Sequence, residues 1–466
     1  MVYAFFRVRP EGQRGSFRLV VNRLYYNTDD TPEASFTFDE AFMRRCLDKF
    51  YKQRKHALTD VQQELFDYVR SSYNQAVDKA FPGNADKDIT LGIDPEYKFY
   101  QALRYNNGVF SAFKVHRMQS DMVSKLRDED GNLKPFEQWY NDVLPIADHQ
   151  CRKWLNTEYN TAVLRAQQAA DWRRFVENQD IFPNLKWLPS TSPTPGKDHL
   201  PVWNIVRPVN DEFWIQHRPG DRWNCKCDLR ATTEPVTELP PNADEEKPHP
   251  GLENNPGKAA KLFSNTHPYI ANAGDNADEA VKARLLEHYE HNEYYTDMPS
   301  KGRITVSFIA DDKDLADNVR AARAILDSFE DTKVFIRPDY RECNMPGHKN
   351  PEYRIDGLVA DRKGIHSEKG VTAAFKSAIK QGCECVVLDL DMYMGSKEVK
   401  PILIANAVYG RYADFRNGII KLLFHHKNIF SKLLSGKNSK LFYEDIFATS
   451  LQENLSFLDR SFLLLI

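Results

Sequence analysis

Two short stretches of the chain hold side-chain types at spacings that could do chemistry. In "NPEYRIDGLVADRKG", Asn350 to Gly364, an Asp-Gly pair sits between two runs of strand-forming residues, the signal for a two-residue type I′ hairpin turn. With Asp356-Gly357 as the turn, Ile355 pairs with Leu358 and, counting outward, Glu352 lies opposite Asp361. Like charges facing each other across a hairpin destabilise it, so the arrangement makes sense with a divalent cation or a proton between them. Lys363 follows Asp361 by two residues and falls on the same face of a regular strand. Two carboxylates and an ammonium on one face suit metal-assisted phosphodiester hydrolysis. The carboxylates hold Mg²⁺, which activates water, and the lysine positions that water or stabilises the phosphorane-like transition state. Pro351-Glu352 and Asp361-Arg362-Lys363 read as the two halves of a PD-(D/E)xK nuclease signature, with Glu in the place of Asp. An exposed hairpin with a solvated set of salt bridges accounts for the same residues without chemistry. A metal-independent version is also open, with His348 or His366 as general base and Lys363 on the phosphate.

The second stretch is "RPGDRWNCKCDL", Arg218 to Leu229, with Cys225 and Cys227 one residue apart. Together with His199 and His217 upstream they provide two imidazoles and two thiols within about thirty residues, an inventory that suits tetrahedral, structural Zn²⁺. C-x-C is a less common zinc spacing than C-x-x-C, and the alternative is that these side chains hydrogen-bond and pack within the loop. A disulfide between Cys225 and Cys227 would close a strained ring.

The elements that must position these residues follow from periodicity. Residues 1–36 read as an N-terminal arm or hairpin. From Phe38 to about Phe182 the pattern is helical, interrupted by "FPGNADKD" and "DEDGNLKP". In "CRKWLNTEYNTAVLRAQQAADWRRF", Leu155, Tyr159, Ala162, Ala166, Ala169 and Trp172 recur at steps of three and four, the apolar face of a long helix. Residues 183 to 229 are rich in Pro, Trp, His and Gly and should form an irregular lobe held by external constraints. Residues 233–302 have the Pro, Asn and acid content of a linker and lightly structured region.

From Arg303 strands and helices alternate. "RITVSFI" and "TKVFIRP" read as strands around the helix "DLADNVRAARAILDSF", whose face carries Leu315, Val319, Ala322, Leu326 and Phe329. The hairpin follows, then the helix "KGVTAAFKSAIKQG" ending at Gly382 and the buried strand "CECVVLDLD". The expected fold class is therefore multidomain: a mainly α domain over 37–232 with an irregular His/Cys lobe, and an α/β domain around a mixed sheet over 303–432, with a tail over 433–466.

The chain is long enough for two or more cores: 466 residues, 41% hydrophobic. Its 63 basic and 66 acidic side chains give a formal charge of -3, so a nucleic-acid partner would need a local patch. Lys376, Lys380, Arg411, Arg416 and Lys421 could supply one. Seven cysteines are too sparse for a secreted disulfide scaffold, and reduced thiols are expected. Arg7, Arg9 and Pro10 break the apolar start, so no signal peptide, membrane span or membrane partner is expected.

Two family resemblances rest on these residues. "WLNTEYNTAVLRAQQAADWRRF", "DHLPVW" and "NDEFWIQHRPGDRWNCKCDL" resemble the head morphogenesis domain of phage Mu protein F-like minor head proteins, in which a long helix precedes a His, a "DPFW"-like turn and a "PPxGWxCRC" close. The resemblance covers roughly residues 37–232. Lys226 stands where that family commonly has Arg, and Asn210-Asp211-Glu212 replaces its tighter Asp-Asp-Pro turn. It implies a virion protein in few copies, made in the bacterial host cytoplasm and acting with portal and capsid proteins in head assembly or DNA packaging.

Residues 303–430, chiefly "NPEYRIDGLVADRKG" and "SAIKQGCECVVLDLD", resemble the C-terminal tRNA nuclease domain of CdiA-type contact-dependent inhibition toxins. That likeness implies RNA cleavage with tRNA as substrate class, a cognate immunity protein as partner, and a substrate-orienting role for Gln381. Glu352 in the place of Asp is the main departure, and it bears on metal affinity. The combined reading is a minor head protein fused to a nuclease-like toxin domain. Its rivals are an interbacterial nuclease effector with a delivery adaptor, and a purely structural virion protein.

Overall fold

The computed structural model describes residues 39–82, 95–243, 247–274, 276–292, 294–311, 313–339, 350–366 and 368–389, and the backbone of 421–426 and 429–435. The expected arm over 1–36 and most of the tail over 433–466 lie outside the described residues. The chain divides into two compact units, one of residues 1–82 and 106–281, the other of residues 83–105 and 282–466. Helices and separate sheets make this a multidomain α and α/β protein.

The first unit is built on helices α1 (Glu40–Lys52), α2 (Gln63–Ala80), most of α3 (Pro95–Val123), α4 (Phe136–Asp148) and α5 (Leu155–Glu177). Asp39 caps α1 by accepting from the Phe42 amide at 2.9 Å. A π-helical turn, His149–Trp154, joins α4 to α5 without a break. The apolar positions expected along α5 are all buried. Between α2, α3 and α5 lies a polar knot that periodicity cannot reveal. Glu158 accepts from Tyr73 Oη at 2.6 Å, Lys114 Nζ at 2.6 Å and Tyr269 Oη at 2.8 Å. Lys114 and Glu158 are both buried, so each is the other's counter-charge in a place where an unpaired ion would be costly.

After α5 comes a three-stranded antiparallel sheet, order β2-β1-β3, made of β1 (Asn184–Leu188), β2 (Val206–Pro208) and β3 (Asp228–Thr232). With the single turn α6 (Phe213–Gln216) it encloses Trp187, Trp214, Phe213, Val202, Cys227 and Leu229. Sequence reading expects no sheet in this lobe because the strands span only three to five residues.

The segment expected to be a linker is different in kind. Residues 247–271, including the turns α7 (Pro256–Ala259) and α8 (Pro268–Ala271), are packed into the first unit. Arg165, fully buried, donates to the carbonyls of Gly220 at 2.7 Å, Leu252 at 2.9 Å and Asn254 at 2.8 Å. Arg218 donates to Leu252 O at 3.0 Å and also to Glu253 and Asn254. Pro- and Asn-rich composition marks irregular backbone here, and two guanidinium groups satisfy the carbonyls that a helix or sheet would otherwise pair.

The remaining elements are α9 (Ala277–His291), β4 (Tyr294–Thr296), β5 (Ile304–Ser307), α10 (Leu315–Ser328), β6 (Val334–Ile336), β7 (Tyr353–Ile355), β8 (Leu358–Gly364), α11 (Glu368–Lys380), β9 (Cys385–Asp389), β10 (Lys421–His426) and β11 (Ile429–Ser435). Strands β4 to β11 form one mixed sheet in sequence order. The pairs β5/β6, β8/β9 and β9/β10 are parallel and the others antiparallel. Helix α10 covers the face carrying Ile304, Val306, Val334, Tyr353 and Val387. The α/β unit thus reaches beyond 303–432 at both ends, through β4 and β11.

Candidate functional site

The hairpin is as the residue count requires. Asp356 and Gly357 both have positive φ, 47° and 85°, and the register runs Ile355↔Leu358, Arg354↔Val359, Tyr353↔Ala360. One step further, Glu352 Oε2 accepts from the Arg362 amide at 2.8 Å, which brings its carboxyl beside Asp361. Asp361 is fully buried, and its Oδ2 lies 2.7 Å from Lys363 Nζ. Among the described residues neither oxygen of Asp361 receives a well-directed hydrogen bond. Burial, then the hydrogen bond and charge of Asp361, push the Glu352 carboxyl up to about 9. The Lys363 ammonium is held above its usual range: burial pulls it down, and the Glu352 and Asp361 charges outweigh that.

Glu352 and Lys363 line a cleft of about 520 Å³ together with Asn350, Ser377, Lys380 and Gln381. Gln381 donates weakly to Ser377 Oγ at 3.4 Å, and its buried Oε1 has no hydrogen bond among the described residues. Lys376 and Lys380 are exposed one turn apart on α11, and Lys380 reaches the cleft. His366 is exposed after β8 and does not line it. His348, Arg411 and Arg416 lie outside the described residues, and Lys421 opens β10. The buried Asp361 carboxylate, whose oxygens receive no directed hydrogen bond among the described residues, and the half-buried Glu352 carboxyl beside it are oxygen donors that fit a hard divalent cation such as Mg²⁺.

On the other face of β8, Arg362 donates to Asp389 at 2.9 Å and to Asn318 at 2.7 Å, while Arg320 reaches the same Asp389 at 2.7 Å. These partners are distant in sequence, and no local pattern announces them.

In the first unit, His199, Cys225 and Cys227 bring one ligand atom each within 4.8 Å of one another. His217, expected as a fourth ligand, is outside this group. Its buried ring instead stacks on Phe213, centroids 5.3 Å apart, as His217 caps the end of α6 four residues on. Asp221 enters instead, accepting from His199 Nε2 at 2.7 Å. It lies four residues before Cys225 in the quoted loop, a spacing that could have identified it.

No protein-family model matches the chain, and no solved structure does. It is 29% identical over 77 residues to the "Putative capsid assembly protein F" of Escherichia phage Mu. That stretch is 16% of this chain and 18% of the phage protein, so the similarity is to a phage capsid-related protein over less than a fifth of either. The likeness of residues 303–430 to toxin nucleases rests on the quoted residues alone. No described helix is long and apolar enough to cross a membrane.

Proposed function

We propose that this chain is a minor capsid-assembly protein of a phage or prophage, located in the virion near the portal, whose second unit cleaves RNA in a metal-dependent reaction. The similarity to the phage Mu protein supports the first part. The observation that carries the second is the half-buried Glu352 beside the buried Asp361 and Lys363, opening on a cleft edged by Lys380 and Gln381. Mg²⁺ held by Glu352 and Asp361 would supply an activated water. Lys363 would stabilise charge that builds on the phosphorus-bound oxygens, Lys380 and Lys376 would attract the phosphate backbone, and Gln381 would orient the substrate. tRNA is the proposed substrate class. An immunity protein that covers the cleft is the partner that such an activity would require in the producing cell.

The test is incubation of the full chain with total tRNA and Mg²⁺, beside Asp361→Asn and Lys363→Ala. Discrete cleavage that falls at least ~100-fold in both variants is expected, the scale of removing one transition-state charge partner. Inactivity on RNA and DNA with every divalent metal tried would refute the nuclease. Absence of the chain from purified virions would refute the capsid role.

A further inference from the structure

The sulfur and nitrogen atoms of the first unit's lobe are spaced for a single ion. His199 Nδ1 lies 3.5 Å from Cys225 Sγ and 3.7 Å from Cys227 Sγ. A tetrahedral zinc with bonds of about 2.3 Å to sulfur and about 2.05 Å to nitrogen has N···S edges of about 3.6 Å. Both observed edges match that value. The opposite nitrogen of the same ring, Nε2, lies 2.7 Å from Asp221 Oδ1, an arrangement that, with the ring neutral and its proton on Nε2, directs the Nδ1 lone pair at the sulfurs.

The sulfurs are also enclosed by N–H donors. The Cys227 amide donates to Cys225 Sγ at 3.4 Å. The buried indole N–H groups of Trp187 and Trp203, which hold no directed hydrogen bond among the described residues, both face the Cys227 sulfur. Arg222 lies 3.3 Å from Asp221 Oδ1 and 3.0 Å from Asp198, so it holds these two carboxylates in place.

We infer that His199, Cys225 and Cys227 bind one zinc ion, that Asp221 is a positioning residue for the histidine, and that a solvent oxygen, rather than His217, completes the coordination. The ion would tie the turn that begins at His199 to the approach of β3, closing a lobe whose strands are too short to hold themselves. This inference is independent of whether the second unit cleaves RNA.

Full-length protein purified without a metal-affinity tag is expected to carry one zinc per chain by elemental analysis. X-ray absorption should read two sulfur and two lighter neighbours. His217→Ala should retain the ion, and Asp221→Asn should bind it 10–100-fold more weakly in chelator competition. Cys225→Ser and Cys227→Ser should each lose it. Should those two fail to fold, titration of metal-stripped wild type with cobalt(II) decides: a thiolate-to-cobalt charge-transfer band supports the site and its absence overturns it. Zinc lost in His217→Ala but kept in His199→Ala would also overturn the assignment.

Discussion

At the scale of single residues, function and stability both turn on polar groups taken out of water, and these differ in how far the sequence betrays them. The Glu352–Asp361 pair could be counted off from a turn, because strand pairing is a local rule. Lys114 and Glu158 could not, since 44 residues separate the partners and each sits on a helix where a charge ordinarily faces solvent. His267 is a third case. It is buried among the rings of Phe110, Trp223 and Tyr269, and its Nδ1 accepts from the Tyr269 amide at 3.2 Å, capping α8. Burial, with the Lys114 charge, lowers its pKa to about 4. An imidazole whose folded pKa is depressed contributes stability in full above its unfolded value of about 6.5, and that contribution is lost as pH falls toward 4, because the unfolded chain takes up the proton first. The ceiling is about 3 kcal/mol at 1.36 kcal/mol per unit. The urea midpoint of the wild type is expected to fall between pH 7 and pH 4.5. In His267→Asn, which keeps an acceptor for the amide and does not titrate, the fall should be smaller. Parallel falls in the two proteins would count against His267.

At the scale of elements, periodicity located the long helices and the alternating strands of the second unit, and it missed the short strands of the first. Three to five residues do not establish a period, and the core of that sheet is made of Trp, Phe and Cys, whose roles composition does not distinguish. The 233–302 stretch reads as a linker for a related reason. The ordering of its residues 252–262 comes from Arg165 and Arg218, which lie earlier in the chain and leave no trace in the segment they hold. Turn chemistry was more legible. Asp356-Gly357 sets the register that places Glu352 beside Asp361, and Asp356 also accepts from the Lys333 amide at 2.8 Å and Thr332 Oγ1 at 3.0 Å, joining the turn to the entry of β6. Gly357, at φ +85° with open space around its Cβ position, is held there by conformation alone. Gly357→Ala should therefore cost about 1 kcal/mol without a clash. Asp356→Asn, which retains the accepting oxygen and tolerates positive φ, should cost little. Chemical denaturation of the two variants measures both. A larger loss for Asp356→Asn than for Gly357→Ala would show that the carboxylate's charge, not the turn, fixes the hairpin.

At the scale of the whole molecule, neither unit is a continuous piece of chain. Residues 83–105 belong with 282–466, and the backbone passes between units three times, near residues 82, 105 and 281. A reader of the sequence cuts at the composition change near 302, where the alternation of strands and helices begins. That cut removes β4, which pairs with β5 through Tyr294↔Ser307, Tyr295↔Val306 and Thr296↔Thr305. It also removes Glu290, which accepts from Arg337 Nε at 2.7 Å and Nη2 at 3.2 Å and from Arg354. Arg337 is mostly buried and in turn donates to the Pro351 carbonyl at 3.0 Å, directly before Glu352. Without Glu290, Arg337 just past β6 and Arg354 on β7 lose the counter-charge they share among the described residues, and breaking such a partly buried pair costs about 3 kcal/mol. A fragment of 303–466 should thus be markedly less stable than one of 282–466, with β6 and β7 amides exchanging faster. Glu290→Gln in the full chain should speed exchange at the same amides and leave α2 and α5 unchanged. Equal protection in the two fragments would mean that the sheet holds the Glu352–Asp361 pair without its first strand and that the sequence boundary near 302 is the physical one.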